Sequence, residues 1–157
     1  MNAEIESQVR AYARLSHDVI GRINFACDLN NDDALRVIES EQVQLNQAFF
    51  VLSFAALENQ VTSLACARLN AEDRRTAMRA SDFEKRWDTA LTVATEILAT
   101  AIPWQSARPV VLSWYKIRSD IVHGRPPTLL ADVPPVLYLA DEIAVTVDRL
   151  TGILNRS

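Results

Sequence analysis

Turn-forming residues are scarce in this chain, with three glycines and six prolines among 157 residues. No strand-like alternation bounded by turns is found either, which excludes a β-sandwich or barrel. Aromatics make up 7%. There are two cysteines, Cys27 and Cys66, on separate predicted helices with no C-x-x-C spacing, so both read as free, small core residues rather than a disulfide or metal site. With only two histidines beside them, a transition-metal centre is not expected. The chain also lacks a basic balance: its net charge is −4 and its pI near 5.2, whereas general affinity for nucleic acid normally comes with a basic surface. The longest apolar run, Ala48 to Leu57, is interrupted by Ser53 and is too short to span a bilayer. No cationic-then-apolar leader stands at the start, so a cytoplasmic location with no membrane association is expected. P-loop, Rossmann glycine pattern, metal motif, internal repeat and low-complexity tract are all missing.

What remains is a chain that is 49% hydrophobic, enough for one domain over residues 1–157 with its own core. Ala/Leu/Glu/Arg-rich runs predict an all-α bundle of about five main helices in antiparallel up-down packing. A first helix, from about Asn2 to Leu29, sets Ile5, Val9, Tyr12, Val19, Ile23 and Ala26 on one face. Its His17 reads as a solvated surface residue. Asn30-Asn31-Asp32-Asp33 is a turn that also caps the next helix. That helix has a short first section, Asp33 to Glu39, and a long body from about Glu41 to Leu69. Ala48 to Leu57 is apolar nearly all round and needs neighbours on several sides, which makes this the central helix. Glu58-Asn59-Gln60 then breaks the run with polar groups, which mark the helix leaving the core or, alternatively, set Glu58 to orient Arg118.

A short, charge-rich helix follows from Asn70 to Arg79. Ser81-Asp82-Phe83-Glu84 reads as a capping box opening another, with Phe83, Trp87, Leu91, Ala94 and Leu98 inward and its end set by Ile102-Pro103. The cations Arg74, Arg75, Arg79, Lys85 and Arg86 are nearly cancelled by Glu72, Asp73, Asp82 and Glu84, the mark of a solvated face. Asp132-Val133-Pro134-Pro135 starts a final helix with Val136, Leu139, Ile143, Val147, Leu150 and Leu154 in one stripe.

The stretch from Pro109 to Arg125 is chemically the richest. Pro109 suits a first helical turn and Gly124 the left-handed residue just past a helix end, so a helix is predicted from about Pro109 to His123. Val111, Trp114, Ile121 and Val122 recur at helical spacing and can face a core. Arg118 and His123 then fall in the last turns. A guanidinium keeps its charge and offers a planar fork suited to phosphate oxygens. An imidazole can give or take a proton near neutral pH, and the carbonyl end of a helix attracts its cationic form. Together they have the parts for phosphate-ester chemistry without a metal. At about 100° per residue, however, five residues turn a helix by roughly 500°, so the two side chains diverge by about 140°. One helix alone aims them poorly at one phosphate. Around them Arg108, Lys116, Arg118 and Arg125 stand against Asp120, a local charge of +3 in an acidic chain.

Arg118-Ser-Asp-Ile-Val-His123-Gly124 resembles the signature of the HEPN superfamily, an Arg, four to six residues, then a His near the end of a late helix of an α-helical bundle. Two positions differ. Ser119 follows the Arg where Asn, Asp or His is common, and Arg125 stands where some family toxins carry a Tyr modified by a partner. Many members of the family are metal-independent ribonucleases that act as homodimers, with the two motifs facing each other across the two-fold axis.

The resemblance implies an endoribonuclease of the toxin or phage-defence type, cleaving RNA by 2′-OH attack to leave 2′,3′-cyclic phosphate and 5′-OH ends. Arg118 and His123 would be its catalytic residues. Ser119, Asp120 and Glu58 would support them, Glu58 as the acceptor that a buried Arg118 needs, while Lys116 and Arg125 would hold flanking phosphates. No metal or other cofactor is implied. The implied partners are RNA, a second copy of the chain that completes a composite site, and for toxin members an antitoxin protein. The alternative is a catalytically inactive HEPN-like module that binds a nucleotide or a protein. From the residues alone, an arginine in a surface ion pair and a histidine capping carbonyls is the plainer reading of the same pair.

Overall fold

The structure, a computed structural model, describes residues 3–67, 72–73, 82–98, 107–125 and 136–156, without the side chains of 3–5 and 136–141. Five helices run in the order α1 (Ala3–Asp28), α2 (Asp32–Ala65), α3 (Phe83–Leu98), α4 (Arg108–Val122) and α5 (Val136–Leu154). No strand occurs among the described residues, and the architecture is the expected all-α helical bundle.

The turn between α1 and α2 is built from asparagines. Asn30 takes a left-handed φ of 50°, a conformation that asparagine tolerates better than most side chains. The N–H groups of Asn30 and Asn31 donate back to the carbonyls of Cys27 and Ala26, both at 3.0 Å, and close the end of α1. The Asn31 side chain then accepts from the Ala34 N–H at 3.0 Å and opens α2. The chain reverses here, so α1 and α2 pair antiparallel: Arg22 meets Glu41 near the turn and Tyr12 meets Phe49 farther out.

α2 is one unbroken helix of 34 residues, not a short section followed by a body. Nothing between Asp32 and Ala65 is glycine or proline, so no residue interrupts its hydrogen-bond ladder. It packs on each of the other four helices, as the all-round apolar run requires. Its first half meets only α1, through Ile38 against Val19 and Ala26 and through Phe49 stacked on Tyr12 at 4.4 Å. Its second half is the centre of the main core, where Phe54, Leu57, Val61 and Leu64 are fully buried among α3, α4 and α5.

Phe83 of α3 lies 5.2 Å from Phe54 and 5.0 Å from Tyr115 of α4, ring centre to ring centre, so one aromatic group ties three helices together. Ile143, Val147 and Leu150 of α5 close the remaining side, as their spacing predicts. α2 meets the length and hydropathy of a membrane span, but more than half of its most apolar window is buried inside the bundle. That buried share packs on the neighbouring helices of the bundle.

Several local expectations need correction. α3 is capped by Asp82, whose Oδ1 accepts from the Lys85 N–H at 2.9 Å. Glu84 turns instead to Arg108, and Ser81 lies outside the described residues. Cys66 is buried, but Cys27 is exposed, one position off the face that α1 turns to α2. Val122 is also exposed, because the buried stripe of α4 is Val111, Trp114, Ile117 and Asp120, three residues apart, and Val122 falls off it. The charge-rich helix expected over 70–79 lies outside the described residues apart from the helical Glu72 and Asp73. So do the segment after Arg125 and the Asp132-Val133-Pro134-Pro135 stretch expected to start the last helix.

α4 begins with Pro109 in its first turn, and His123 is its C-cap. Gly124 follows with φ 64°. The Gly124 N–H donates to the Ile121 carbonyl at 3.1 Å and the Arg125 N–H to the Asp120 carbonyl at 2.8 Å, the paired bonds of a Schellman stop. A Cβ on Gly124 would meet no atom within 4 Å, and neither would one on helical Gly152. Sterics are thus equal and only backbone preference differs. Gly124→Ala should lower stability by about 1 kcal/mol through left-handed strain, and Gly152→Ala should raise it by about 0.5–1 kcal/mol. Urea denaturation of both variants tests this; a shift of the same sign in the two would refute the assignment of Gly124 as the stop.

Candidate functional site

The polar break after the apolar run of α2 is where the charged side chains of the bundle converge. Glu58 leaves α2 one turn beyond Phe54 and is largely buried, with its side chain 16% exposed. Its Oε2 lies 3.2 Å from Arg118 Nη2 of α4, so the arginine of the motif does rest on Glu58. Its other oxygen, Oε1, lies 3.6 Å from Nη2 of Arg86 on α3. Arg86 Nη1 also donates to Thr62 Oγ1 at 3.1 Å. Thr62 sits one helical turn after Glu58, so one face of α2 supplies both acceptors.

Two guanidiniums thus share one carboxylate at a half-buried position. The Nε of Arg86 and of Arg118 are both buried without a hydrogen-bond partner among the described residues. Buried donors are normally paired, and a carboxylate with one negative charge balances only one of the two cations.

Arg86 was not among the residues expected here. Counting charges along 72–86 suggested a solvated face, but Arg86 lies one turn before Ala90 and two before Val93, on the flank of the buried face of α3. Helical position, rather than net charge, was the signal that could have found it.

His123 lies at the other extreme. It caps α4 through its backbone, the His123 N–H donating to the Ser119 carbonyl at 3.0 Å, and its imidazole is exposed with no partner among the described residues. The structure therefore brings Arg118 to Glu58 but leaves His123 apart from both. Asp120 is buried on the α4 stripe, and its carboxylate is 3.9 Å from the exposed Arg125 guanidinium. Ser119 is half-buried and Lys116 is exposed.

Arg108, counted among the cations around the motif, is committed elsewhere. It pairs with Glu84 and donates to Asp88 Oδ1 at 2.8 Å, which fastens the start of α4 to α3. The Arg108 hydrogen bond holds the Asp88 carboxyl below its ordinary value, partial burial opposes that, and the Arg108 charge adds to it; Arg108 is raised in turn. A depressed carboxyl stabilises the fold above its ordinary pKa of 3.8 and loses that contribution as pH falls through the folded value. Arg108→Gln should therefore make thermal stability less sensitive to acid below about pH 4, and this difference should shrink in high salt.

A groove of about 460 Å³ opens at the turn end of the α1–α2 hairpin, with His17, Asp18, Arg22, Phe25 and Leu29 among its walls. Glu41, near that end, precedes Glu58 by seventeen residues, about 25 Å along α2. Arg22 is already bound to Glu41 at 2.7 Å, and His17 is exposed. Among the described residues no group of three or more His, Cys, Asp or Glu is placed to hold a metal ion.

The shared carboxylate has a measurable signature. Glu58→Gln should cost about 2–3 kcal/mol, since it leaves two guanidiniums facing a neutral amide. Arg86→Gln should cost less than half of that, because it leaves a one-to-one Glu58–Arg118 pair. Equal losses on urea denaturation would show that Glu58 is not the common anchor.

Comparison of the chain with models of known protein families, with curated proteins and with solved structures finds no match, so what these residues do has to be read from their own chemistry.

Proposed function

We propose that the chain is a metal-independent endoribonuclease of the HEPN type, acting in the cytoplasm as a toxin or phage-defence nuclease. The observation that carries this reading is the state of the two motif residues. Arg118 is held by Glu58 at a half-buried position, while the imidazole of His123, at the end of the same helix, is exposed and uncommitted among the described residues. One supplies fixed positive charge and the other a proton carrier.

RNA brings its own nucleophile. His123 takes the proton of the 2′-OH as its oxygen attacks the adjacent phosphorus, and the bond to the 5′-oxygen breaks as that oxygen receives a proton from a second imidazole. The products are a 2′,3′-cyclic phosphate and a 5′-OH. Arg118 stabilises the charge that gathers on the non-bridging oxygens in the transition state. A homodimer paired through α4 supplies the second imidazole, and exposed Lys116 and Arg125 hold neighbouring phosphates. Ser119 and Asp120 support the end of the helix, Asp120 through the carbonyl that accepts the Arg125 N–H. An antitoxin protein would act by covering this face.

The wild-type protein should cut mixed RNA in EDTA and leave cyclic phosphate, and His123→Ala should lose about 10²–10⁴-fold in rate. Since His123 caps α4 through its backbone N–H, the variant should keep its fold. Cleavage that requires a divalent metal would refute the mechanism. If folded, dimeric wild-type protein leaves RNA intact, the chain is a non-catalytic binding module instead.

A further inference from the structure

We infer that Arg86 is a second phosphate-holding residue of this site, forming with Arg118 a two-guanidinium receptor for one oxyanion of the RNA backbone, with Glu58 and Thr62 as its positioning residues. The inference rests on the ribonuclease reading for the identity of the anion. Its own support is a count of charges and donors.

Arg86 and Arg118 come from different helices to the two oxygens of one carboxylate, at 3.6 Å and 3.2 Å. Among the described residues, the nearby acidic side chains that could have neutralised the surplus are turned elsewhere. Glu84 and Asp88 bind Arg108, and Asp120 faces Arg125. One positive charge is therefore left over where the arginine side chains are only 23% and 29% exposed. A purely structural ion pair does not explain this. Desolvating a cation is costly unless a partner compensates it, and a one-to-one pair on Glu58 would avoid the second cost.

The donors tell the same story as the charge. Each guanidinium has five N–H groups in a planar fork. Arg86 uses one on Thr62 and reaches Glu58 only at ion-pair distance, and the Nε of both arginines lacks a partner among the described residues. A tetrahedral oxyanion set against the exposed parts of both forks would accept from their outer N–H groups and cancel the surplus charge, the two buried Nε atoms lying out of its reach. Thr62 fixes one end of Arg86 and Glu58 holds both arginines. The receptor is thus set in place before the ligand arrives, which is how charge stabilisation gains most.

The experiment measures binding separately from cleavage, with an oligoribonucleotide carrying 2′-O-methyl groups, which cannot be cut by 2′-OH attack. Its affinity for the full chain is followed by fluorescence anisotropy over a series of salt concentrations. Arg86→Gln should weaken binding about tenfold. It should also reduce the slope of log affinity against log salt by about 0.7, the value for one phosphate contact on a single strand. Arg86→Lys should keep the slope and lose part of the affinity, because it retains the charge without the fork. Lys85→Gln, at an exposed neighbour, should change neither by as much.

A merely structural Arg86 would not move the salt slope. Wild-type affinity and slope in Arg86→Gln, measured well below its unfolding temperature, would overturn the inference even if the protein cleaves RNA. Binding that depends on Arg86 in a wild type that cleaves no RNA would retain the receptor and remove only the nuclease reading.

Discussion

Most of this structure depends on ten residues of α2, Ala48 to Leu57, that present apolar side chains nearly all round. A helix of that kind has no solvent face to offer, so burial requires neighbours in every direction. Phe50, Phe54, Ala56 and Leu57 are buried accordingly. α3, α4 and α5 pack on this half of α2 and leave Leu52 exposed, while α1 lies mainly along the first half and reaches the main core through Val9. The consequence reaches beyond packing. Where polar residues return at Glu58, the surrounding helices have not yet parted from α2, so its carboxylate must find its partners on them rather than in water.

Two arrangements of charge then divide the bundle. At the exposed edge where α4 starts, one arginine, Arg108, meets two carboxylates, Glu84 and Asp88. At the half-buried position one turn past Phe54, one carboxylate meets two arginines. The first has surplus negative charge in a place where water and salt screen it. The second has surplus positive charge where screening is weaker. An acidic chain can therefore hold a locally cationic cluster, and the net charge of −4 is a poor guide to the charge around Arg118.

Much of the scaffold was legible before any coordinates. Pro109 and Gly124 bracketed α4, the asparagine-rich turn placed the α1–α2 reversal, and the all-round apolar run identified the central helix. Each is a strong local preference that tertiary packing had no reason to override. Glu58 could be linked to Arg118 because a charge at the margin of a core needs a counter-charge. Arg86 could not be reached the same way, since adding charges along a segment discards the helical angle that decides which of them turns inward. Val122, expected to face the core, is exposed for a related reason, and Asp120 is buried in its stead. The stripe of α4 advances by threes, and it drifts around the helix far enough to take in an aspartate and leave a valine in solvent.

The angle between Arg118 and His123 sets the final constraint. Arg118 leaves α4 on the flank that meets α2, and its guanidinium is fixed there by Glu58. His123 leaves at the helix end about 140° around, on a side that the described helices do not cover. The two motif side chains of one chain therefore leave α4 in different directions, and the ion pair with Glu58 keeps Arg118 on its own side. On the proposed reading, chemistry needs an imidazole delivered from outside the chain. A two-fold pairing through the end of α4 would supply it, each copy lending its His123 to sit beside that of the other at one phosphate. That exchange also divides the work between the copies, because one imidazole must accept a proton while another donates. On that reading, the carboxylate that fixes Arg118 in place is what ties cleavage to a second copy of the chain.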